Sequence, residues 1–186
     1  MFIQTESTPN PATLKFIPGK PVMGEGTVDI PDRAEAARSP LAQRLFGIDG
    51  VSAVFLGPDF ITVTKSAGEW PHLKPQILGA IMEHYQSGQA VFAEGTARLD
   101  HADHEGADEE EAEIIAQIKD LLDTRVRPAV AQDGGDIVFH GYANGVVFLH
   151  MRGSCSGCPS SALTLKNGIE NLLRHYVPEV TEVRPV

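Results

Sequence analysis

Cys155 and Cys158 are the only cysteines in the 186 residues, within Arg152-Gly153-Ser154-Cys155-Ser156-Gly157-Cys158-Pro159-Ser160-Ser161. Two thiols spaced C-x-x-C can close on one metal or cluster, or on each other as a disulfide. Pro159 suits the first position of a helix, which places Cys158 at or near its N-cap and Cys155 in the loop before it. The end of such a helix offers unpaired N–H groups and a partial positive charge. Both effects are expected to lower the thiol pKa values and to suit an anionic ligand set. Gly153 and Gly157 remove side chains where a bulky cofactor would approach the backbone. Iron–sulfur ligation, thiol–disulfide exchange, zinc binding and inert structural thiols all remain open at this point.

Ligand arithmetic narrows the field. Structural zinc and cubane clusters both want about four protein ligands, and one chain supplies two thiols. A closed site therefore needs the same motif from a second chain, or two ligands of another kind. His140 and His150 lie on the strands next to the motif, but strand histidines are more often ordinary surface residues. A homodimer sharing one exposed, releasable cluster is the simpler solution, and it suits a carrier. Dithiol/disulfide oxidoreductase chemistry has the same local geometry. It is disfavoured by context, because a helix and a hairpin precede the motif where a thioredoxin-like unit has a βαβ entry. A zinc-stapled interaction protein is the other rival.

Weaker candidates read as structure. Gly134-Gly135 between two aspartates is first a turn signal. His101-Ala102-Asp103-His104 could catch a divalent metal, but it lies in an acidic linker. No Ser/His/Asp set, G-x-G-x-x-G loop, Walker loop or paired-carboxylate pocket is recognisable, and no catalytic residue is assigned.

The elements that must position the thiols follow from periodicity and punctuation. Asp108 and Glu111 have capping-box spacing, and Glu109 to Glu111 suit a helix N-terminus. Ile114, Ile115, Ile118, Leu121, Leu122 and Val126 then share one helical face, which Pro128 ends or bends. Asp133 to Asp136 is a tight turn into a strand over 137–142. Asn144-Gly145 is a strong hairpin signal, and a second strand returns over 146–151. After the C-x-x-C loop, Ala162, Leu165, Ile169, Leu172, Leu173 and Tyr176 form a second amphipathic face, with Gly168 a candidate kink. Pro178 stops that helix before a last strand over 180–184. The order is α-β-β-α-β, with the thiols between second strand and second helix.

Residues 1–93 read as a separate small α/β domain. Short strands are expected at 2–5, 13–17 and 27–30. A helix follows over 40–46, with Ser39 as N-cap and Pro40 at its first position. Gly57-Pro58-Asp59 joins a hairpin, and Leu73, Ile77, Ile81 and Tyr85 mark a helix that Gly88 can end. Between the domains, residues 94–107 read as a flexible acidic linker. From Glu94 to Glu113 nine acids face one base, so eight of the ten net negative charges lie in that stretch. The fold class is thus α+β, two small α/β domains, 1–93 and 108–186.

Composition excludes some functions. A net charge of −10 argues against nucleic-acid binding, which needs a basic face. No apolar run approaches the ~18 residues of a membrane span. The opening Met1-Phe2-Ile3-Gln4-Thr5-Glu6 has neither the basic start of a signal peptide nor the Arg-rich character of a transit peptide, which leads to the expectation of a cytoplasmic location.

At these residues the chain resembles a known family. Arg127-Pro128, Asp133-Gly134-Gly135-Asp136, Gly153-Ser154-Cys155-Ser156-Gly157-Cys158, Thr164-Leu165, Gly168-Ile169-Glu170 and Pro178-Glu179-Val180 together resemble the C-terminal domain of NifU, the Nfu module. Ser7-Thr8-Pro9-Asn10-Pro11-Ala12-Thr13-Leu14-Lys15-Phe16 with Pro18-Gly19 resembles the N-terminal domain of mitochondrial and α-proteobacterial-type Nfu proteins. The resemblance implies a non-enzymatic iron–sulfur cluster scaffold or carrier. It would hold a [4Fe-4S] cluster, in preference to [2Fe-2S], between two subunits, with Cys155 and Cys158 as cofactor and metal ligands. Implied partners are apo iron–sulfur client proteins and upstream cluster assembly proteins. The chain would be a homodimer when loaded, and a monomeric apo form is compatible with that. The N-terminal domain, which has no cysteine, would serve in docking or target choice.

Overall fold

The computed structural model describes residues 1–92, 108–155 and 159–186, the side chains of 159–162 excepted. It is an α+β structure of two compact units, Met1–Leu99 and Asp100–Val186. The acidic stretch 94–107, with His101 and His104, lies outside the described residues. Among the described residues no helix is long and apolar enough to cross a membrane.

The first unit is a five-stranded antiparallel sheet in the order β1 (Gln4–Ser7), β2 (Thr13–Ile17), β5 (Ile61–Lys65), β4 (Val51–Leu56), β3 (Val28–Ile30). Two helices, α1 (Pro40–Phe46) and α2 (Trp70–Ser87), share one core with it. Ser39 caps α1 as its type suggests, its hydroxyl accepting from Ala42 N at 3.1 Å. In α2, Leu73, Ile77 and Ile81 are buried, but the next inward position is His84, and Tyr85 is half-exposed. A spacing of four outruns the 3.6-residue turn, so after two steps the buried stripe falls back by one residue. Gly88, at φ 71°, ends the helix.

The second unit carries the cysteines. Helix α3 (Glu109–Leu121) runs into a π-helical turn, Leu122–Val126, and then into α4 (Arg127–Gln132). Asp108 is its N-cap but makes no side-chain cap bond, so the expected capping box is not formed. Pro128 has no N–H to give to the carbonyl four residues back. At the turn Arg127 N donates to Leu122 O, five residues back, which inserts the extra residue. Pro128 therefore neither ends the helix nor simply bends it.

Strands β6 (Gly135–Ala143) and β7 (Val146–Gly153) form an antiparallel hairpin, and β8 (Glu182–Pro185) pairs parallel with β7. Asn144 and Gly145 both take positive φ (50° and 80°), as the Asn-Gly signal requires. Helix α5 (Pro159–Tyr176) crosses from β7 to β8 without a break at Gly168. The core joins Ile118, Leu122 and Val126 with Ile137, Val147, Leu149 and Met151, and with Ile169 and Leu173 of α5. Glu170, from the motif Gly168-Ile169-Glu170, accepts the Val183 N–H at 3.2 Å and so satisfies a donor on β8.

Candidate metal centre

Cys155 sits one residue beyond Ser154 in the turn that follows β7, before α5. Cys158 and the rest of the loop, 156–158, lie outside the described residues. The register of the hairpin sets what faces Cys155. Gly135 pairs with Gly153 and Asp136 with Arg152, so the start of β6 lies directly against the entrance to the cysteine turn.

Two hydrogen bonds fasten that turn. The Ser154 hydroxyl donates to the Asp133 carbonyl, and Ser154 N donates to Gly134 O at 3.3 Å. Gly134 supplies the positive φ (78°) that the 133–136 turn needs. Gly135 does something else. A Cβ there would lie 2.5 Å from Cys155 Sγ and 2.9 Å from Arg152 O, so only a residue without a side chain lets the two segments approach. The pair Gly134-Gly135 is therefore a turn and also the floor of the thiol site.

The floor is itself held. Arg127 clasps Asp136 with both arms of its guanidinium, Nε to Oδ1 at 2.8 Å and Nη2 to Oδ2 at 2.9 Å. Asp136 Oδ1 also accepts Ile137 N at 2.8 Å. Asp136 is 3% exposed, and a buried carboxylate is stable there only if paired and hydrogen-bonded in this way. The hydrogen bonds that Arg127 donates to Asp136 raise the Arg127 pKa still further above its usual range, so the guanidinium stays charged at all working pH values. Asp123, one turn earlier, adds an outer contact to Arg127 at 3.1 Å.

The thiol itself departs from the expectation of ready ionisation. Cys155 is only 7% exposed and packs in the core cluster of this unit. Burial pushes its pKa from 9.0 up to about 11, with the negative charges of Asp133 and Asp136 adding to the rise and the Ser154 hydroxyl opposing it. Desolvation outweighs any help from the helix end for Cys155, because a thiolate here would lose water beside the negative charges of Asp133 and Asp136. His140 and His150 are not gathered to this thiol. His140 is exposed at a bulge in β6, between the pairs Phe139–Leu149 and Gly141–Phe148. His150 alternates with the core-facing Leu149 and Met151, so it lies on the opposite sheet face, with Nδ1 3.1 Å from Val186 O.

Two family models match the chain, the scaffold protein Nfu/NifU N-terminal domain over residues 3–88 and the NifU-like domain over residues 118–184. The chain belongs to the Nfu/NifU family. This Nfu/NifU-family chain is 53% identical, over its whole length, to the NFU1 iron–sulfur cluster scaffold homolog, mitochondrial, of Homo sapiens, and spans 72% of that protein. It is also 53% identical over 98% of its length to NifU-like protein 4, mitochondrial, of Arabidopsis thaliana, and spans 65% of it. A solution NMR structure of a NifU-like protein from Saccharomyces cerevisiae is 27% identical, with a TM-score of 0.46, covering 50% of this chain and 86% of that one.

These relatives correct one expectation. The human protein and Arabidopsis NifU-like proteins 4 and 5 are named as mitochondrial, which points to mitochondria rather than the cytoplasm. The cytoplasmic expectation rests on the character of the first residues and on the lack of a membrane-span run, and the physical chemistry of a folded domain does not encode its compartment.

Proposed function

We propose that this chain is an iron–sulfur cluster scaffold and carrier that holds a [4Fe-4S] cluster between two copies through Cys155 and Cys158 of each. The cluster is cargo, handed on to apo iron–sulfur proteins by stepwise exchange of the scaffold's thiolates for those of the client. The observation that carries the reading is the placement of the chain's only two cysteines at the β7–α5 connection of a NifU-like domain. Relatives more than half identical are named as iron–sulfur cluster scaffolds. The donor chemistry fits, since thiolates are the usual ligands of such clusters and two per chain make four in a pair. No catalytic step is needed for holding and release, so the chain acts as a scaffold and not as an enzyme.

The alternative, dithiol/disulfide exchange, asks the first thiol of the motif to be exposed and easily ionised. The buried, raised-pKa thiol of Cys155 weighs against it. In the proposed division of labour, the cysteine-bearing unit 108–186 carries the cargo. The unit 1–93 docks clients and upstream assembly proteins, with 94–107 joining the two. Anaerobic loading with iron and sulfide, followed by metal analysis and by transfer to an apo-ferredoxin-type acceptor, tests the reading. Bound iron and sulfide in equal amounts that pass to the acceptor are expected. Zinc alone, or thiol-dependent insulin reduction without bound iron, would replace the reading with one of its rivals.

A further inference from the structure

We infer that the 133–136 turn is a latch that keeps the Cys155 thiol turned into the core of the unloaded chain, with Ser154 and Arg127 as its positioning residues. That the latch opens for loading rests on the scaffold reading above; the latch itself rests on the geometry of residues 127–136 and 152–155.

A ligand to a cluster shared by two chains must present its sulfur outside its own fold. Cys155 does the reverse here. It is 7% exposed and belongs to the same buried cluster as Ile137, Leu149 and Met151. Ser154, Gly135 and Arg127 keep it there. Ser154, itself 2% exposed, is tied by its hydroxyl to Asp133 O and by its N–H to Gly134 O. Gly135 leaves the space that Sγ occupies, since a Cβ would stand 2.5 Å from it. Arg127 fixes Asp136, and through it the start of β6, against the rest of the unit. Behind the latch the β6–β7 ladder runs unbroken from Gly135–Gly153 to Phe139–Leu149. Opening releases residues 154 and 155 from the end of the ladder, at the cost of two hydrogen bonds and the packing of one thiol. Withholding the thiol in this way shields an empty site from oxidants and stray soft metals, while an iron–sulfur cluster, which satisfies the sulfur better than the core does, can hold it open.

The latch is tested on the full chain carrying Cys158→Ser, so that Cys155 is the sole thiol. The apo protein is pulsed anaerobically with iodoacetamide, and Cys155 labelling is read by peptide mass spectrometry. Labelling is expected to be far slower in the native chain than in concentrated urea. Ser154→Ala should speed native labelling by about 2- to 12-fold, the population change that one lost hydrogen bond gives, while urea-state rates stay equal. Amide exchange in β6 and β7 shows whether the fold survives the substitution. Arg127→Lys, which keeps the charge but loses the two-armed grip, is the second variant and should also speed labelling. Native labelling at the urea rate would overturn the latch. So would unchanged labelling in Ser154→Ala with intact amide protection, or, if that variant unfolds, unchanged labelling in Arg127→Lys. Failure of the unsubstituted chain to take up a cluster would sink the scaffold reading and leave these labelling results standing.

Discussion

Replacing Gly135 with alanine adds one methyl group at the tightest contact of the site. The new Cβ would lie 2.5 Å from Cys155 Sγ, 2.9 Å from Arg152 O and 3.2 Å from Cys155 N. Non-bonded carbon contacts are comfortable at ~3.5–4.0 Å, so the sulfur must retreat by about 1 Å or more and the Arg152 carbonyl must also give way. Neither move is easy, since the thiol is packed in the core and Arg152 belongs to the β6–β7 ladder. Overpacking of this kind costs about 1–3 kcal/mol, or about 5- to 140-fold in the unfolding equilibrium of this unit. Trp70, the sole tryptophan, belongs to the other unit, so the assay is amide exchange of β6 and β7 across a urea series. A double-mutant cycle isolates the cause. In a Cys155→Ala background the sulfur clash disappears and the backbone clash remains, so Gly135→Ala should cost less there by about 1 kcal/mol. Gly134→Ala should cost about 1–2 kcal/mol in either background, because its penalty is the positive φ and not the thiol. A Gly135→Ala penalty that is the same with and without Cys155 would refute the thiol floor.

Other consequences follow from the same geometry. Arg127→Leu leaves the buried Asp136 carboxylate without its main partner and should destabilise the second unit by about 2–4 kcal/mol, somewhat below the full cost for a deeply buried pair because Arg127 is about one-third exposed; urea midpoints followed by β6 amide exchange check it. The raised thiol pKa of Cys155 means that the folded apo chain holds this proton longer than the unfolded one. The stability it contributes is complete below about pH 9 and is lost as pH climbs through about 11, a difference of about 2–3 kcal/mol that Cys155→Ala should abolish in alkaline unfolding curves. In the first unit His84 is fully buried, and neither ring nitrogen has a hydrogen-bond partner among the described residues. Burial and then the nearby Arg44 lower its pKa below 6.5, with the Gln89 backbone opposing them. A lowered histidine pKa stabilises above pH 6.5 and loses that stability as pH falls. Trp70 fluorescence should therefore show the first unit weakening on acidification, and His84→Phe should flatten that slope.

Much of the frame around the thiols is legible in the sequence because it rests on local rules. The Asn144-Gly145 turn, the Ser39 cap and the Gly88 stop each depend on a backbone angle or hydrogen bond made within a few residues. The α-β-β-α-β order follows from apolar periodicity. Other features depend on contacts that no local rule reports. The Arg127–Asp136 grip spans nine positions and needs the π-helical turn, which spacing alone did not reveal. The inward His84 reflects the true helical pitch over three turns. Cys155 is the clearest case: proximity to a helix end suggested an easily ionised thiol, and tertiary packing buried it instead. The signal that bore on it was Gly135, whose need for space becomes visible only when the hairpin register places it opposite Gly153.

The central claim is that the cysteines of two chains hold one cluster, and native mass spectrometry of the anaerobically loaded protein tests it most directly. One [4Fe-4S] cluster on a pair of chains, with both the cluster and the pair lost in Cys155→Ala, is the predicted result. A stable four-iron cluster on a single chain, or a cluster retained without Cys155, would contradict it.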